Sequence, residues 1–168
     1  MFFIRCIRIS NWPDPRKIKP LANISSDAIT KDLKTNQNLM SWWEVDNISE
    51  QSFELIAAAI VSQYKQEDSV SLVALPKDLV CEIAQEIKHA PNNQVPIIGV
   101  GDKHYNIKIL DYETLGKLAD AISKVTSGNV EFVRRYKFGK LISIINTLNQ
   151  ENRVNKDNLE VAVKKHIT

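Results

Sequence analysis

The sequence predicts a single α/β domain over residues 1–168, with a mixed, partly parallel central sheet of four or five short strands, flanking helices and a helical carboxyl-terminal third. Three observations predict it. Ile48 to His89 reads helix, buried strand, helix in direct succession; strand-like runs alternate with helical periodicity through the first two thirds; beyond Phe138 only helical spacing recurs. The length of 168 residues suits one core and falls short of two average domains.

Phe2 to Ile9 is aromatic and β-branched with apolar residues at both parities, the pattern of a central strand. Asn11 to Pro20 holds Pro13, Pro15 and Pro20 around Arg16, Lys17 and Lys19, so an exposed loop is expected. Ser26 is placed to cap a short helix to about Lys34 that buries Ala28, Ile29 and Leu33. Asn36 to Asp46 then supplies a strand in which Leu39, Ser41, Trp43 and Val45 share one face and Met40, Trp42, Glu44 and Asp46 the other. The adjacent tryptophans must therefore point in opposite directions. One belongs to the core; the other lies under a helix or anchors a partner.

Ser49 can accept a hydrogen bond from a free amide of the next helical turn, and Ile48 with Phe53 matches the spacing of a hydrophobic staple. Phe53, Ile56, Ala57, Ile60, Val61 and Tyr64 form one apolar stripe. Burying Phe53, Ile56 and Ile60 contributes roughly 1.5–3 kcal/mol each before conformational entropy is subtracted. After a polar turn at Gln66, Glu67 and Asp68, Val70 to Leu75 reads as the buried strand that covers this stripe. Pro76 suits the first turn of a second helix, with Val80, Ile83, Ala84 and Ile87 facing inward, and Pro91 stops it after His89.

Val95 to Val100 and Tyr105 to Leu110 read as two strands of a hairpin turning at Gly101, Asp102 and Lys103. Asp111 caps a helix with Leu115, Leu118, Ala119, Ile122 and Val125 on its inner stripe, ended by Ser127 and Gly128. Val130 to Tyr136 fits strand or helix. Leu141, Ile142, Ile145 and Leu148 are helically spaced, and a last helix capped by Asn155 or Asp157 buries Leu159, Ala162 and Val163. No internal repeat or low-complexity tract occurs.

The composition, 43% hydrophobic and 25% charged, is that of an ordinary globular protein. Arg5 and Arg8 interrupt the amino-terminal apolar run, and the longest such run, Leu55 to Val61, is far short of a membrane span, so a soluble, cytoplasmic protein without a membrane partner is expected. Cys6 and Cys81 lack metal or redox spacing and read as free thiols. Charge is uneven: residues 127–168 carry eight basic against four acidic side chains, so 126–168 forms a helical, basic subregion.

No catalytic residue, metal site or cofactor is indicated. Gly99-Val-Gly101-Asp-Lys-His104 lacks the third glycine of a dinucleotide loop, and there is no Gly-Lys-Ser/Thr. Glu86 and His89 have metal-ligand spacing on a helix but no second copy, and the histidines are scattered. Cys81 has no local signature of a nucleophile. The reading that remains is a non-enzymatic interaction or regulatory protein of bacterial type, inhibitor- or immunity-like, binding another protein through Trp42, Trp43, Glu44 and Asp46. Two alternatives stand beside it. One is a small enzyme with a cleft near residues 76–104; the other is a nucleic-acid-binding protein using Arg134, Arg135, Lys137 and Lys140 at the head of the basic helices. Oligomeric state is not legible.

Overall fold

The computed structural model describes residues 1–19, 21–65 and 68–168, so Pro20 and the turn expected at Gln66 and Glu67 lie outside the described residues. The strands are β1 (Phe2–Ile7), β2 (Leu39–Val45), β3 (Val70–Pro76), β4 (Glu86–His89), β5 (His104–Lys108) and β6 (Val133–Tyr136). The helices are α1 (Glu50–Val61), α2 (Lys77–Ile83), α3 (Tyr112–Gly128), α4 (Phe138–Gln150) and α5 (Val161–Lys164). The strands form one six-stranded sheet in the order β4-β5-β2-β1-β3-β6, and every neighbouring pair is antiparallel.

The expected partly parallel sheet of four or five strands is thus replaced by an antiparallel one of six. The β2-α1-β3 crossover does form, and its two strands run in the same direction. But β1 lies between them, antiparallel to both, so the parallel pair never touches. Nothing in the spacing of apolar residues distinguishes an adjacent pair from one with a strand inserted.

The expected hairpin is also replaced. Val95 to Val100 is not a strand; Val95, Ile97 and Val100 are buried plugs of the core, and Pro96 cannot donate to a ladder. The partner of β5 is β4, drawn from the residues expected to end the second helix. That helix stops at Ile83; the Gln85 amide bonds to the Lys108 carbonyl, and Ile87 alone of β4 turns inward. Pro91 disfavours helical geometry just before it, and the tail becomes extended. Gly101 is required by close approach: a Cβ there would lie 2.3 Å from the Asn92 carbonyl oxygen.

Helices cover both faces. On one, α1 and α4 pack Phe53, Ile56, Ile60, Leu141 and Ile145 against Ile4, Val70 and Leu72. On the other, α3 and α2 bring Leu118, Ile122 and Val80 onto Phe3, Val73 and Leu75. The caps are those the sequence indicates: Ser49 accepts from the Ser52 amide and Asp111 from the Thr114 amide. Ser26 instead leads into a single π-turn, Ala28–Asp32, closed by the Leu33 amide on the Ala28 carbonyl. The Asn11–Pro20 loop is not simply exposed, because Trp12, Pro13 and Asp14 are buried. Val130 to Tyr136 resolves into a short turn and the edge strand β6, so the carboxyl-terminal third is not wholly helical, and Asn155 caps only a three-residue turn before the short α5. No helix among the described residues is long and apolar enough to cross a membrane.

Candidate functional site

The sheet splits at its centre. β1 pairs with β2 only from Phe2 to Ile4; beyond that point β1 continues against β3 to Ile7 while the early part of β2 pairs with β5. The gap between the diverging strands is a cleft of about 460 Å³. Its lining comes from β1 and the residue after it (Arg5, Cys6, Arg8), the π-turn (Lys31, Asp32), β2 (Ser41, Trp43), the end of α1 (Gln63, Tyr64) and the entry to β3 (Asp68, Ser69).

Arg5 holds the split open and satisfied. Its Nε and Nη2 donate to the Asp32 carbonyl and its Nη1 to the Ser41 carbonyl at 2.8 Å. The guanidinium also lies 5.7 Å from the centre of the Trp42 ring. Burial pulls its pKa down to about 10, which leaves it charged at neutral pH. The Asp32 carboxylate points elsewhere, accepting from the Trp12 indole at 2.8 Å and from the Asn11 amide. Burial outweighs these bonds and pushes Asp32 above the usual aspartate range.

Two further groups of the cleft, Cys6 and Tyr64, are held neutral. The Cys6 thiol and Tyr64 hydroxyl contact each other at 3.3 Å, and burial pushes both upward. A thiol nucleophile needs the opposite shift, toward thiolate. This cleft can place donors, acceptors and an aromatic edge around a guest, and its thiol is not shifted toward thiolate.

A second chamber of about 400 Å³ adjoins the cleft and shares Ile7, Arg8, Asp68 and Ser69 with it. Lys17, Ser71 and Arg135 complete its charged and polar lining. The strand register explains their convergence: Ile7 pairs with Ser71, and Ser71 pairs with Arg135, so three strands present one row on the same face. Lys17 is fixed from the proline-rich loop by donating to the Ile9 and Trp12 carbonyls at 2.6 and 2.7 Å. Burial, then the neighbouring Arg135, lowers its pKa in spite of Asp14.

The residues that the sequence singles out are scattered. Trp42 is fully buried on the α3 face, and Trp43 is half-buried on the α1 face, its ring 5.4 Å from His104. Both indole nitrogens are buried without a hydrogen-bond partner. Glu44 is ion-paired with Lys77, and that bond together with one from Tyr105 outweighs burial and lowers its pKa. Asp46 is exposed. Only Trp43 of these four lines the cleft. The basic quartet is dispersed as well. Arg134 pairs with Glu50 and lies over Phe53, Lys140 pairs with Glu54, Lys137 is exposed, and Arg135 turns to the other face of β6.

Glu86 and His89 lie on a strand rather than a helix, so they point to opposite faces; no group of three or more possible metal ligands occurs among the described residues. Near residues 76–104 there is a groove of about 470 Å³ between α2 and α3, lined by Pro76, Leu79, Ile83, Ala121 and Phe132 and bordered by Lys117, Asp120 and Lys124. His104 is buried, its Nδ1 bound to the Ala90 carbonyl. Cys81 is exposed on α2. Sequence reading missed Arg5 as a site residue, although an arginine inside Phe2 to Ile7 carries a signal: a charge flanked by apolar neighbours at both parities must find partners inside the fold.

Compared with protein-family models, with curated proteins and with solved structures, the chain shows no match.

Proposed function

We propose that this chain is a non-enzymatic interaction or regulatory protein, and that its partner protein inserts a loop or chain terminus into the cleft between β1 and β2. The observation that carries the reading is the end of β1–β2 pairing at Ile4. It leaves Arg5 to Ile7 with a strand neighbour on one side only, beside a cavity of about 460 Å³. Exposed strand edges accept extended segments through main-chain hydrogen bonds, and the pocket beside the edge supplies selectivity. The neutral Cys6 and Tyr64 favour binding over chemistry. The proposal therefore puts the partner at the split and not along the whole tryptophan strand.

A photo-crosslinking residue tests the reading when introduced at Gln63, which lines the cleft, and in a second protein at Tyr112, which is exposed on α3. The expected result is one discrete protein adduct from position 63 in cells and none from position 112. Adducts from both positions alike, or from neither, overturn it.

A further inference from the structure

The second chamber carries an inference that needs no protein partner. Among the described residues its charged lining is Arg8, Lys17 and Arg135 with Asp68. Lys17 is pinned by two carbonyls, whereas neither the Arg8 nor the Arg135 guanidinium has an ion-paired or hydrogen-bonded acceptor among the described residues. Among the described residues Asp68 forms no ion pair with them; its Oδ1 accepts from the Ser69 amide at 2.6 Å. Like charges converging on one cavity repel, and the repulsion is relieved when an anion enters.

The floor of the chamber gives a second, independent observation. Ser71 is only 6% exposed, it stands between Ile7 and Arg135 in the register, and no side-chain hydrogen bond of its hydroxyl occurs among the described residues. The hydroxyl is not among the buried atoms left without a partner and lines the chamber, so it is open to a ligand there. Two guanidinium forks, one ammonium and a serine hydroxyl offer donors from several directions, which suits a tetrahedral oxyanion better than a planar carboxylate. The lining has more cationic than acidic groups, which favours an anion. We propose that Arg8, Lys17, Ser71 and Arg135 form a binding site for a dianionic phosphate group, either free phosphate or a phosphate monoester.

Calorimetric titration of the full chain with inorganic phosphate and with ribose 5-phosphate, against sodium chloride of equal ionic strength, tests the site. Saturable binding at one site is expected for at least one of the two, and the tighter of them identifies the source of the phosphate group. Arg135→Gln, on an exposed side chain of an edge strand, should weaken binding roughly tenfold or more by loss of a charge-assisted contact. Lys124→Gln on α3 should leave it unchanged, and circular dichroism confirms that each variant is folded. No saturable binding by either anion, or equal affinity in wild type and Arg135→Gln, overturns the proposal while leaving the protein-binding reading to its own crosslinking test.

Discussion

The Arg5 guanidinium bonds to the main-chain carbonyl of Asp32, not to its carboxylate, which lies 27 positions away in sequence and is occupied by Trp12. One residue therefore ties the π-turn to the centre of the sheet with its carbonyl and the proline-rich loop to the same place with its side chain. The cleft exists because this tie stands where a continued β1–β2 ladder would otherwise run.

Arg5→Met should cost about 2–3 kcal/mol in urea denaturation, because the buried Asp32 carbonyl and the partly buried Ser41 carbonyl lose their donor while the relief from removing a buried charge recovers part of the loss. Equal stability of the variant would mean that the two carbonyls find water and that the arginine does not hold the split.

Asp32→Ala should destabilise by about 1–3 kcal/mol, since the Trp12 indole loses its acceptor inside the core. Asp32→Asn keeps an acceptor oxygen and should lose less. A folded Asp32→Ala protein with unchanged tryptophan fluorescence would contradict the assigned contact.

Trp42→Ala should cost about 3–5 kcal/mol as a large core truncation, and Trp43→Ala less, because its side chain is half-buried. Denaturation midpoints of the two variants check the order. The reverse order would move the core to the other face of β2.

Glu50 gives the acid limb of stability its sign. Bonds from Tyr136 and Arg134 outweigh burial and hold its pKa below the ordinary glutamate value, so its contribution is complete above about 4.3, the unfolded value, and fades as pH falls toward the folded one. The pair is largely exposed, which limits the effect to about 1 kcal/mol or less. Glu50→Gln should therefore be less stable than wild type at pH 7 and converge with it as pH falls through the folded value.

Cys81 should react with iodoacetamide in the native protein and Cys6 only after unfolding, because one thiol is exposed and the other is pushed up by burial against Tyr64. Mass spectrometry counts the adducts: one native, two in denaturant.

Local structure was legible at two helix starts and in the strongest apolar periods. Ser49 and Asp111 cap the helices expected of them, and the α1 stripe and the buried β3 run lie as their periodicity indicates. Adjacent Trp42 and Trp43 face opposite ways because strand alternation leaves no choice. Pairing was not legible. That β1 inserts between β2 and β3, or that β4 rather than Val95 to Val100 meets β5, depends on contacts between distant segments that no local period records. The cleft is a consequence of pairing, so most of its residues escaped with it; Trp43 was singled out from the sequence, and the charge of Arg5 inside an apolar strand was a second trace.

Affinity capture reads out whether a partner protein binds at the split between β1 and β2. Immobilised wild type, Gln63→Trp, which fills the cleft, and Lys124→Gln, on α3, are exposed to extract of cells expressing the protein, after circular dichroism shows all three folded. The account predicts a protein retained stoichiometrically by wild type and Lys124→Gln and lost with Gln63→Trp. Equal retention by Gln63→Trp, or loss only with Lys124→Gln, contradicts it and moves the interaction to the groove between α2 and α3.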